Sequence, residues 1–172
     1  MNPLLISALL TASVLVSGCV TPQGSASGSS SVATPTQTQQ FMTAVEAKRG
    51  SALTLAERVQ LQGLTGSAKL GFDNAQRSFL NRIGAQVGLN GDIVAALFPD
   101  SAKPLSQTEV VQKLEARLGK SLTAADKAAV QTATTLRNNS VASLKVGLAN
   151  SIGGRIGMDG QVILALMPLL GF

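Results

Sequence analysis

Apolar side chains at Leu61, Leu64, Ala68, Phe72, Ala75, Phe79 and Ile83 recur at steps of three or four residues, the spacing of one face of an α-helix. A second stripe, Val130, Ala133, Arg137, Val141, Leu144, Leu148 and Ile152, repeats that spacing with Arg137 as its one break. The two stripes are offset by 69 positions. The same offset carries the run 82–99 onto 151–168, residues 46–50 onto 115–119, and 53–58 onto 122–127, with no gap between about 41/110 and 99/168. Chance matches among Gly and Ala would not align both ends of one unit, so the pattern is an internal duplication.

Each copy reads as helical. A short first helix, about residues 39–49 and 108–118, stops at Gly50 and Gly119, glycine being the residue that most readily ends a helix. Thr54-x-x-Glu57 then has the form of a capping box, and Thr123-x-x-Asp126 is a weaker version of it. A short closing helix, 91–98 and 160–167, is capped by Asn90 and Asp159 and stopped by Pro99 and Pro168. Gly63, Gly66 and Gly71 have no glycine counterparts in the second copy, and they predict a break or kink in the first long helix. Gly88 and Gly157 read as the ends of the long helices, while Gly84 and Gly153 read as points where the two copies pack closely.

The expected fold is therefore all-α: two tandem copies of a helical unit, residues 39–105 and 106–172, packed around one shared core. A unit of this length buries too little apolar surface to stand alone. The uncharged end of the chain is expected to pack into that core, with Leu169, Leu170 and Phe172 covering its open side. Eleven residues broken by a proline are too short to cross a bilayer.

At the N-terminus the pattern changes. Residues 4–16 are apolar except for Ser7, Thr11 and Ser13, a length that suits the hydrophobic region of a signal peptide and is too short for a membrane span. Small residues and the single cysteine follow, as Val16-Ser17-Gly18-Cys19. This segment resembles the lipobox of bacterial lipoprotein precursors: an aliphatic residue, two small residues and Cys. The resemblance covers about the first 20 residues and departs from the family in a leader, Met1-Asn2-Pro3, without Lys or Arg. It implies a signal peptide over 1–18 and a lipidated Cys19 as the membrane anchor, double acylation giving stable attachment. Val20, in place of the Asp that retains such proteins in the inner membrane, implies the periplasmic face of the outer membrane. Residues 19–38 are rich in Ser, Thr, Gly, Pro and Gln and carry no charge, a composition expected to form a flexible tether.

Composition narrows the chemistry. With no His, no Trp, no Tyr and one Cys, imidazole catalysis, an internal disulfide and a zinc cluster are excluded. Aromatic platforms for nucleic acid are missing. Net charge is +5, split nearly evenly, with seven cations and five anions in 39–105 and seven and four in 106–172. The carboxylates Glu46, Glu57, Glu115 and Asp126 are repeat equivalents beside Lys or Arg, which fits helix ends and solvated ion pairs better than a glycosidase pair. Asn90-Gly91-Asp92 and Asp159-Gly160 lack the remaining ligands of a calcium loop. The sequence predicts no catalytic residues, no metal and no cofactor. It predicts a non-enzymatic scaffold or adaptor with an envelope protein as partner, or else a protein touching lipid through its glycine-rich apolar helices, with an envelope hydrolase a distant third.

Overall fold

The computed structural model describes residues 36–172. The expected signal peptide, Cys19 and the tether as far as residue 35 lie outside the described residues. Six α-helices follow: α1 Gln37–Arg49, α2 Leu55–Val87, α3 Gly91–Leu97, α4 Gln107–Leu118, α5 Ala124–Ile156 and α6 Gly160–Leu166, with a closing 3-10 turn Met167–Leu170. No strand occurs among the described residues, and the fold is all-α. The bounds of α5 and α6 are those of α2 and α3 shifted by 69 positions.

Local chemistry sets these bounds. Helix α1 starts two residues earlier than expected and takes in the last two residues of the expected tether, because Thr36 and Gln39 form a reciprocal box: Gln39 N donates to Thr36 Oγ1 at 3.2 Å and Thr36 N to Gln39 Oε1 at 2.7 Å. Thr54 and Glu57 make the same box at α2. At α5, Asp126 N donates to Thr123 Oγ1, but the Asp126 carboxylate meets the Thr123 hydroxyl instead of the backbone N–H. Aspartate is one methylene too short to close the box. Helix α2 is continuous for 33 residues, so the break expected at Gly63, Gly66 and Gly71 does not occur. Glycine in a helix costs about 1 kcal/mol relative to Ala, and the buried neighbours Leu61, Thr65 and Phe72 hold this stretch in place.

Gly88 and Gly157 end the long helices at φ +71° and +68°, as expected. Gly84 and Gly153 serve a different purpose from the one expected. A Cβ at Gly84 would lie 2.7 Å from the Leu89 carbonyl oxygen, and one at Gly153 2.5 Å from that of Met158. The close approach is made by the chain turning back over its own helix end, where Leu89 N and Met158 N donate to the Gly84 and Gly153 carbonyls at 3.0 and 2.9 Å. These glycines shape the turn within each copy and not the seam between copies.

Helices α2 and α5, each about 50 Å long at 1.5 Å per residue, run antiparallel. Gln86 meets Asp126, Gln76 meets Arg137, and Gly71 lies against Leu144. Exchanging the copies leaves this register unchanged, which places a pseudo-twofold axis between Phe72 and Val141; these repeat equivalents share one cluster with Ala102.

Two larger cores lie at the ends of the pair. The first joins Phe41, Val45 and Leu61 of the first copy to Ile152, Ile163 and Met167 of the second. The other joins Phe79, Ile83 and Val94 of the first copy to Val110, Leu114 and Val130 of the second. Each core thus takes the front of one copy and the back of the other, in place of the one shared core expected. The long helices outreach any single cluster of short ones, so the cover divides between the two ends. Leu170 is buried in the first core and Phe172 packs on Phe72 with ring centroids 4.7 Å apart. Leu169, expected beside them, stays 37% exposed.

Ile83→Ala and Ile152→Ala, at equivalent places in opposite cores, should each lose about 2–5 kcal/mol in urea unfolding. Residues 36–105 expressed alone should show no cooperative unfolding as a monomer, since both half-cores would be open. Cooperative unfolding of that fragment at concentrations where it sediments as a monomer would contradict the exchange.

Candidate functional site

Between the end cores lies a polar layer centred on Arg137, the residue that breaks the second apolar stripe. It is 2% exposed. Its guanidinium satisfies a fan of acceptors: Nε donates to Gln76 Oε1 at 2.5 Å, Nη1 to the Lys103 carbonyl at 2.7 Å and Asn138 Oδ1 at 3.1 Å, and Nη2 to the Asp100 and Ser101 carbonyls at 2.7 and 3.1 Å. Gln76 in turn donates to the Phe98 carbonyl at 2.6 Å. Asn138 clamps Leu105 on both sides, accepting from its N–H and donating to its carbonyl at 3.0 and 2.8 Å. Together they hold the linker joining the copies, whose Ala102 side chain is buried beside Phe72 and Val141.

The planar fork of arginine suits this task because it offers five donors at fixed angles. Burial pushes the Arg137 pKa below its ordinary value, with nearby Asp100 opposing that shift. Burial also lowers Lys145, and the Arg137 charge adds to the effect. The repeat equivalent of Arg137 is Ala68, and that of Gln76 is Lys145. The layer is therefore built from positions at which the two copies differ. No buried side-chain nitrogen or oxygen among the described residues lacks a partner.

The carboxylates singled out in the sequence do more than pair in solvent. Glu46 Oε1 accepts from Leu53 N at 2.9 Å and from Arg58 Nη2 at 2.7 Å. Glu115 Oε1 accepts from Leu122 N at 2.9 Å and pairs with Lys127 Nζ at 2.9 Å. Each fastens the turn between a short helix and the following long one. Glu57 caps α2 and binds Arg49 at 2.9 Å, and Asp126 takes a bond from Gln86 at 2.8 Å. The Leu53 N–H chiefly lowers the Glu46 pKa, and the Thr54 N–H that of Glu57. The Lys127 ammonium leads for Glu115, and the Thr123 hydroxyl for Asp126. Among the described residues no group of three or more His, Cys, Asp or Glu could hold a metal ion.

One broad cleft, about 750 Å³, opens beside the linker and is lined by Gln62, Thr65, Lys69, Phe72, Lys103 and Phe172 among others. Its α2 wall is the counterpart of the α5 surface where Asn138 clamps the linker and Thr135 accepts from Gln107 at the start of α4, with Lys69 and Gly66 in their places. The cleft mixes hydroxyls and amides with an aromatic floor, and no carboxylate pair is fixed across it. Cys19, the one site residue predicted from sequence, lies outside the described residues. The Arg137 layer went unread because a single cation within an apolar stripe carries no periodic signal of its own. No protein family, curated protein or solved structure matches this chain.

Arg137→Met should cost about 3–5 kcal/mol, since it strands several buried acceptors at once, and should open the linker to limited proteolysis. Arg137→Lys should recover little of that loss, because an ammonium cannot span the fan of carbonyls. The lowered carboxylate pKa values give a second expectation. Their stabilisation is fully present above the ordinary value of 4.5 for Glu or 3.8 for Asp and is lost as pH falls through the lower folded values. The melting temperature should hold from neutrality to about pH 5 and drop below it, more shallowly in Glu46→Gln/Glu115→Gln.

Proposed function

We propose that the chain is a lipid-anchored, non-enzymatic scaffold or adaptor of the bacterial cell envelope, held at Cys19 to the periplasmic face of the outer membrane. The observation that carries this reading is the use made of its ionic groups. Glu46, Glu57, Glu115, Asp126 and Arg137 all hold turns, caps or the linker, which supports a braced body offering surfaces over one arranged around a reaction centre. The lipobox-like Val16-Ser17-Gly18-Cys19 and the uncharged stretch after it supply attachment and reach.

Direct lipid contact is the second reading. Of the glycines on these helices, Gly84 and Gly153 lend it no support, since their room is filled by their own turns. It is favoured by Leu55 and Val59, 79% and 59% exposed one turn apart at the start of α2. No helix among the described residues is long and apolar enough to cross a membrane.

Cells expressing the full chain should incorporate labelled palmitate into it, and Cys19→Ser should abolish both labelling and processing. Cross-linking in intact envelopes should then capture a defined protein with the anchored chain. Capture of lipid alone, weakened by Leu55→Lys/Val59→Lys, would favour the second reading over the first.

A further inference from the structure

We infer that the outer face of the α2–α5 pair is a self-association surface whose partner is a second copy of this chain. This inference is independent of the lipid anchor. A groove formed by α2 and α5 alone runs along the pair. At one end, with a volume of about 390 Å³, it is lined by Leu64, Ser67, Leu144, Gly147 and Ser151. At the other, about 330 Å³, it is lined by Ala75, Ser78, Phe79, Arg82 and Leu136. The two ends are repeat equivalents: Leu144 corresponds to Ala75, Gly147 to Ser78 and Ser151 to Arg82. The pseudo-twofold axis between Phe72 and Val141 stands normal to an antiparallel pair, so it emerges in this groove. An isologous contact needs only that the same patch on each copy meet about a twofold axis, and a groove alike at both ends can do so in either direction.

Charge selects the same occupant. The exposed residues of α5 from Ala128 to Gly154, among them Thr132, Leu136, Ser140, Ser143, Val146 and Ser151, include no charged side chain. Exposed helix faces are ordinarily kept soluble by Lys, Arg, Glu and Asp. Two copies of a chain with net charge +5 repel across most of their surface, but among the residues lining this groove only Arg82 is both charged and exposed, so here the face meets its like at little of that cost. Gly147 and Gly154 have nothing within 4 Å of an added Cβ. The monomer therefore carries two helix-weakening glycines that its own packing does not require, and the room they leave admits a facing backbone.

The area is also sufficient. Alongside residues 128–154 of α5 the face of the pair is about 40 Å long and, across both helices, about 20 Å wide. That offers about 800 Å² per copy, the amount each partner contributes to a standard stable interface.

Sedimentation equilibrium of residues 36–172, within which both cores close, tests the inference. The expected result is a dimer at tens of micromolar. Ser143→Glu and Gly147→Lys, both placed in open space on the groove, should each yield a monomer with unchanged helicity. An equimolar mixture of Ser143→Glu and Ser143→Lys should return to the dimer mass. A wild-type protein that stays monomeric at several hundred micromolar would overturn the inference. So would a dimer that both substitutions leave intact, since its contact would then lie elsewhere.

Discussion

Neither repeat can bury its own apolar stripe, and the rest of the structure follows from how the chain resolves that constraint. Helix α1 finds its cover on the far half of the other copy, while α4 lies on α5 of its own copy and closes a core with the far half of the first. Phe41 and Val45 rest with Ile163 and Met167, while Val110 and Leu114 rest with Val94 and Phe98. Hydrophobic burial, the dominant favourable contribution to folding, is thereby made to depend on both copies being present. Two helices of 33 residues each can run side by side because each end of the pair is closed by elements from both copies.

Exchange alone would leave the middle of the pair uncovered. The short helices reach only the ends, and the linker must cross the centre with its backbone carbonyls pointing inward. Buried carbonyls without donors are costly. Arg137, Gln76 and Asn138 supply those donors together, from positions whose repeat equivalents, Ala68, Lys145 and Lys69, are different residues. A single connection between the copies needs a single clamp, which accounts for an arginine on one long helix and an alanine at its equivalent. The Phe79 ring, 5.7 Å from the guanidinium carbon, also faces that charge.

Much of the fold was legible because it is local. Helix stops at Gly50, Gly88, Gly119 and Gly157, caps at Thr54, Thr123, Asn90 and Asp159, and both apolar stripes all carry their signal within a few residues. The exchange was not legible, because two copies with equivalent stripes satisfy the same periodicity whether each packs on itself or on the other. Thr36 was hidden by a neighbourhood of Ser, Thr, Gln and Pro that reads as tether, although its box with Gln39 follows the same rule as Thr54 with Glu57. At the candidate site, the carboxylates were legible as partners of nearby cations. Their bonds to Leu53 N and Leu122 N were not, because a turn's orphan donors become known only once the helices flanking it are placed.

Helix α1 also fixes where mechanical load would go. A pull delivered from the N-terminal side enters at Thr36 and passes straight into α1, whose apolar face is seated on α6 and the closing 3-10 turn. Tension applied to the beginning of the first copy therefore falls on the end of the second. To yield, Phe41, Met42 and Val45 must leave the far half of the molecule as one block, because all three share a single rigid helix. Such a joint fails all at once under load instead of peeling residue by residue, and so a domain with no disulfide in it behaves as if its two ends had been riveted together.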